Sequence, residues 1–368
     1  MSDRKYRPVY MFIFMGLMLM VIMMNYSFNL IYYIQNRIYE NAVKTLFPVE
    51  TYFEDNYDEN AGSVWVDSEY MFSMAEEDKK PATQTDEGVV EAGAAVCPWP
   101  LQENAAGNVY NIADLKNYDF LMKFYTVTSI TSLTTQIMRP EEFLAKDLSL
   151  EKNADLPQIL IFHTHSQEGF VDTVEGDTST TIVGVGDYLT DILTNTYGYN
   201  VYHDTSVYDY VDGKLDRSKA YTYAEENVAK ILEENPSIEV VIDLHRDGVP
   251  DATRLVTEEK CVTMSKVMFF NGISYSKAKG DIGYLYNANR DDNQEMSLQM
   301  YQLGEPYYHG LVRNIYINAC RYCLHMKGRS MLIEAGAQTN TSTEVKNAMI
   351  PVADMLDRLL RGEKAYTQ

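Results

Sequence analysis

The sequence predicts an α/β fold, a mostly parallel, twisted sheet with helices on both faces, preceded by a single transmembrane helix. Three observations predict it. Short runs of strand-forming residues recur after residue 157, the strongest being Ile-Glu-Val-Val-Ile-Asp-Leu at 238–244. Helical stretches of 12 to 18 residues separate these runs, long enough for the crossovers that parallel strands require. An uncharged stretch lies between Arg7 and Arg37.

That stretch comprises 29 residues, with an apolar core from Val9 to Met24. At ~1.5 Å per residue it reaches roughly 43 Å, more than the ~30 Å of a hydrocarbon core. Arg4, Lys5 and Arg7 precede it and are expected to stay in the cytoplasm, while Tyr26, Tyr32 and Tyr33 suit the outer aromatic belt. A cleaved signal peptide is the alternative. It needs small residues before a cleavage point, and Asn-Tyr-Ser-Phe-Asn-Leu after Met24 has no such site. The expected organisation is a cytoplasmic tail (1–8), an anchor (9–34), a stalk and acidic tether (35–96), an N-terminal extension (97–156) and a main domain (157–368). All beyond the anchor is expected outside the cytoplasmic membrane.

The formal net charge of -22 argues against nucleic acid as a partner, since phosphate binding wants clustered Lys and Arg. Much of that charge is local. From Glu54 to Glu91 there are 12 acidic residues against Lys79 and Lys80, a net of -10. Self-repulsion and the lack of apolar periodicity make this a flexible tether. Four cysteines are too few for a disulfide scaffold. Cys320-x-x-Cys323 has no second pair, which disfavours a structural zinc site. The two are expected as small apolar residues on a helix, with a local disulfide or redox pair as the alternative.

Taken in order, 120–130 reads as a strand from its aromatic and β-branched residues. Strands are expected at 158–162, 199–203, 238–244, 267–270 and 330–334. Helices are expected at 184–197, ended by Gly198, at 218–234, stopped before Pro236, and at 289–303, 310–324 and 342–360.

The chemistry gathers at strand ends. One strand runs into His163-Thr-His165-Ser-Gln-Glu168, another into Asp243-Leu-His245-Arg246-Asp247, and a third into Glu334-Ala-Gly336. In open α/β sheets the ligand site lies beyond the carboxyl ends of the strands. A catalytic Zn2+ wants three N or O protein ligands and one position open to water. His165 and Glu168 supply two from one loop and His245 the third. Glu334 then suits a general base that takes a proton from the attacking water and passes it to a leaving amine. Asp243 lies two residues before His245, on the same side of an extended chain, and suits a partner that fixes its tautomer. His163 is the alternative to His165, which is preferred for its spacing to Glu168. His203 precedes Asp204 and faces the same edge, as a substrate or supporting contact. Arg246 suits a clamp for a substrate carboxylate, with a structural ion pair as the alternative. His309 and His325 are expected to be structural or exposed. Gly184-Val-Gly186 lacks the rest of a phosphate loop. Each residue alone has a structural explanation; the weight lies in their joint placement.

The same residues carry a family likeness. Pro-Gln-Ile-Leu-Ile-Phe-His-Thr-His-Ser-Gln-Glu (157–168), His203-Asp-Thr, Pro236-Ser-Ile followed by Asp-Leu-His-Arg-Asp-Gly (243–248), and Leu-Ile-Glu-Ala-Gly-Ala-Gln-Thr-Asn-Thr (332–341) resemble the stage II sporulation protein P family. Phe-Tyr-Thr-Val at 124–127 adds to it. The resemblance spans roughly 115–360 together with the N-terminal anchor. It implies an amidase-like (phosphorylase/hydrolase-like) fold and zinc-dependent hydrolysis of the N-acetylmuramoyl-L-alanine amide of peptidoglycan, with a second action on peptide cross-links. It implies as partners a lytic transglycosylase like stage II sporulation protein D and a polytopic membrane recruiter, in engulfment during endospore formation. Two other functions compete. A metallo-carboxypeptidase-like peptidase would use the same residues, and a non-catalytic membrane-tethered scaffold would be expected to have lost one of the four.

Overall fold

The computed structural model describes residues 107–211, 213–217, 219–259 and 262–367. The expected tail (1–8), anchor (9–34), stalk and tether (35–96), Cys97 and Cys261 lie outside the described residues. Among the described residues no helix is long and apolar enough to cross a membrane.

Seven strands form the central sheet: β1 (Tyr125–Val127), β2 (Ile159–Phe162), β3 (Val201–His203), β4 (Val240–Asp247), β5 (Val267–Gly272), β6 (Ile315–Asn318) and β7 (Arg329–Ala337). Their spatial order is β1-β6-β5-β7-β4-β2-β3. Every neighbouring pair is parallel except β5–β7, which is antiparallel. Strands β2, β5 and β6 are buried at every position because helices cover both faces.

Five helices are relevant: α1 (Pro140–Ala145), α2 (Ile182–Asp191), α3 (Ala220–Glu234), α4 (Arg290–Tyr307) and α5 (Ser342–Leu360). Strand residues alternate between the faces. Ile159, Ile161, Val240, Ile242, Leu244, Phe269 and Ile333 pack with α2, α4 and α5 in the main core. Leu160, Phe162 and Val241 point the other way, beneath Ala220, Ala224, Val228 and Ile231 of α3. Helix α5 begins where a capping box predicts a start: the Thr341 hydroxyl accepts from Glu344 N–H while the Glu344 carboxylate accepts from Thr341 N–H.

Two expected elements are corrected. The strand expected at 120–130 is a short helix (Tyr118–Leu121), a 3-10 turn and only then β1. Asn117 caps that helix by accepting from Phe120 N–H, which draws the aromatic run out of extended form. The helix expected at 310–324 is instead β6 and a 3-10 turn (Leu324–Met326). Pairing of β6 between β1 and β5 overrides the local helical periodicity. Cys320 and Cys323 therefore sit on a loop, as free, buried thiols.

Candidate metal and catalytic site

The sheet's alternation sorts the polar residues. Asp243 and His245 share the face of Val241, and Glu334 shares that of Leu332. Glu334 and His245 are Cα partners across β7 and β4. Past this pair the register shifts, and Gly336 takes φ +64°. Side-chain atoms of its neighbours stand 2.9–3.0 Å from where its Cβ would be, so glycine is required there.

The loop after β2 brings His165 and Glu168 over the same end of the sheet. The ligand atoms of His165, Glu168 and His245 lie within 4.8 Å of one another, a geometry that can hold a metal ion. His165 Nδ1 is 3.8 Å from Glu168 Oε1, and His245 Nδ1 is 3.6 Å from Glu168 Oε2. The Arg246 N–H donates to Glu168 Oε2 at 2.9 Å, which fixes the carboxylate between the rings. His165, Glu168, His245 and Glu334 are 0, 4, 0 and 1 % exposed.

Asp243 holds the other nitrogen of His245, with Oδ1 2.7 Å from Nε2. Thr164 in turn fastens Asp243, its N–H donating to Oδ1 (3.0 Å) and its hydroxyl to Oδ2 (2.7 Å). The electrostatics follow. Burial pushes the His165 imidazole down to about 3, leaving it neutral and able to ligate. Burial also works against charge on His245, but the Asp243 and Glu168 carboxylates outweigh it and raise that group well above the ordinary range. Burial alone would raise Glu168; His245, His165 and Arg246 instead hold it well below the usual carboxylate range.

The remaining candidates lie elsewhere. His163 points to the opposite face, toward α2. Its Nδ1 donates to Leu244 O (2.7 Å), and its Nε2 lies 2.9 Å from His203 Nε2. His203 Nδ1 is 3.0 Å from Asp187 Oδ1. A Cβ on Gly186 would come within 2.6 Å of both rings. His163 and His203 thus form a separate pair behind the sheet. Arg246 is occupied by backbone: its Nε donates to Gly169 O and its Nη1 to Asp247 O, each at 3.1 Å. The Asp247 carboxylate takes Arg313 (2.6 Å). His309 lies against Glu305 and His325 against Glu225.

The structure adds residues that sequence reasoning missed. Buried Asp209 accepts from the Ser166 hydroxyl (2.9 Å) and Gln167 N–H (3.2 Å), pinning the His165–Glu168 loop from below. Tyr221 and Tyr322 line the site, Tyr322 with φ +53°, a conformation side chains rarely adopt. With 29 tyrosines in the chain, nothing local marks these two.

Comparison with known proteins decides the family. The family model of stage II sporulation protein P (SpoIIP) matches residues 54–357. The chain belongs to the stage II sporulation protein P family. It is 22% identical over 228 residues to the stage II sporulation protein P of Bacillus subtilis (strain 168), covering 58% of this chain and 54% of that protein. It thus spans about half the length of that relative. Among solved structures, it is similar to the CwlD amidase of Clostridioides difficile in complex with the GerS lipoprotein (15% identity, 55% of this chain and 98% of that one, TM-score 0.35). It is also similar to the N-acetylmuramoyl-L-alanine amidase AmiC2 of Nostoc punctiforme (13%, 57% and 97%, TM-score 0.33). Scores of this size do not define a shared fold, and the α/β assignment of this SpoIIP-family chain rests on its own strand pairing.

Proposed function

We propose that the chain is a zinc-dependent peptidoglycan hydrolase that cleaves the N-acetylmuramoyl-L-alanine amide. One observation carries this reading: the ligand atoms of His165, Glu168 and His245 meet beside Glu334 in a chain of the SpoIIP family. Two imidazole nitrogens and one carboxylate oxygen form a donor set that suits catalytic zinc and leaves a position open. When bound there, zinc would supply a Lewis acid and lower the pKa of water.

The chain's own residues do the rest. Asp243 holds His245 through Nε2 and so presents Nδ1 to the site. The Arg246 N–H keeps Glu168 between the two rings. Glu334 accepts the proton of the attacking water and returns it to the leaving nitrogen of L-alanine. The uncharged segment 9–34 holds the domain outside the cytoplasmic membrane. Action on peptide cross-links, a lytic transglycosylase like stage II sporulation protein D, a polytopic membrane recruiter and a role in engulfment belong to the same proposal and rest on family membership.

The test measures metal content and turnover together. Ala at His165, Glu168 or His245 should lose metal. Glu334→Gln should keep metal while turnover falls ~10²–10⁴-fold. Mass spectrometry of digested peptidoglycan should find free lactyl ends and released stem peptides. Trimmed peptides alone would make the chain a peptidase, metal loss in Glu334→Gln would make that residue a ligand, and full activity in all four variants would end the enzyme reading.

A further inference from the structure

Tyr221 stands in the first turn of α3, above the site, with its ring between two aromatic neighbours. It meets the His165 ring edge-on, with centroids 5.5 Å apart, and the Tyr322 ring at 5.3 Å. Its hydroxyl is buried and finds no hydrogen-bond partner among the described residues. The Tyr322 hydroxyl differs, since it accepts from Asn318 Nδ2 at 2.8 Å. Asp243 and Glu334 are the carboxylates of the site nearest to it in the fold, on β4 and β7. The Tyr221 phenol can donate its proton to an acceptor or accept through its oxygen.

Neither nearby carboxylate takes that donor in a hydrogen bond. Asp243 is already engaged by both Thr164 groups and by His245. A buried hydroxyl without an acceptor destabilises a fold, and phenylalanine would fill the same space without that penalty. The hydroxyl is therefore best explained by an acceptor that arrives with the substrate. The ring that carries it packs against His165 of the candidate metal cluster, so the acceptor is sought on a substrate held there.

We propose that Tyr221 is a catalytic residue whose hydroxyl donates a hydrogen bond to the scissile carbonyl oxygen as that oxygen becomes anionic. This rests on the hydrolase reading above. In the step it assists, the water oxygen bonds to the carbonyl carbon, the C=O π pair moves onto oxygen, and Glu334 takes the water proton. The C=O bond then re-forms, the C–N bond breaks, and nitrogen receives the proton from Glu334. The Tyr221 proton stays on its own oxygen throughout, and the bond it makes is strongest while the oxygen is charged.

The experiment is Tyr221→Phe in the full chain, assayed on peptidoglycan beside the wild type, with metal content and thermal midpoint measured on the same preparations. Loss of one such donor lowers kcat by ~10²–10³-fold. The expected result is a kcat fall of that size with KM within about twofold, unchanged metal and an unchanged or higher midpoint. A kcat within about twofold of wild type overturns the proposal. So does loss of metal or a lowered midpoint, which would make Tyr221 a structural residue. A wild-type chain that releases no stem peptides removes the hydrolase reading and this inference with it, whereas an active wild type with an equally active Tyr221→Phe removes this inference alone.

Discussion

One residue, Thr164, separates His163 from His165, and the turn that begins there after β2 sends them to opposite sides. His165 meets Glu168 and His245, while His163 ties Leu244 O to His203 and, through it, to Asp187. The two positions should therefore respond differently. His163→Ala should keep its metal and lose stability, because Leu244 O loses a buried donor. Asp243→Asn should keep the shape of the site but weaken metal binding by ~10–100-fold, the usual cost of removing a carboxylate that orients a ligating histidine. Metal titration of both variants measures this. Metal loss in His163→Ala with retention in His165→Ala would reverse the assignment.

At the scale of elements, Glu334 depends on where β7 leaves the register of β4. The shift occurs between Glu334 and Ala337, and Gly336 makes it with a left-handed backbone. Gly336→Ala would set a Cβ 2.9 Å from Ser265 Cβ and Val345 Cγ2 and 3.0 Å from Asn340 Oδ1. The strain and the clash together should cost about 2–3 kcal/mol. For a domain of this size that lowers the melting midpoint by roughly 4–12 °C, readable by calorimetry. An unchanged midpoint would show that the bulge relaxes freely. The start of helix α5 is written locally by Thr341 and Glu344, and Asn340 ties it to the bulge by accepting from Ala337 N–H and donating to the Glu344 carboxylate.

For the whole molecule, the proposed anchor places everything after residue 34 outside the cell membrane. That orientation is part of the proposal and rests on Arg4, Lys5 and Arg7 preceding the uncharged segment. Protease added to intact protoplasts should remove nearly all of the chain and leave a short N-terminal fragment. Survival of the 157–368 domain would reverse the topology.

Much of the fold was legible because it is written over short distances. The apolar run of β4, the Gly198 stop with φ +77° after α2 and the Thr341 cap each depend on a few neighbouring residues. So does the nomination of His165, Glu168, His245 and Glu334, which needs only residue types at strand ends. Other features depend on partners far along the chain. The run 310–324 suggests a helix, and only pairing with β1 and β5 makes part of it β6. Strands β5, β6 and β1 together run against β7, β4, β2 and β3, which no local pattern states. The side taken by His163, the service of Asp209 beneath the loop and the buried hydroxyl of Tyr221 are likewise set by sheet order and packing. Periodicity and composition thus determine the elements and the chemical groups available, while burial and long-range pairing decide which of those groups share a face and therefore a site.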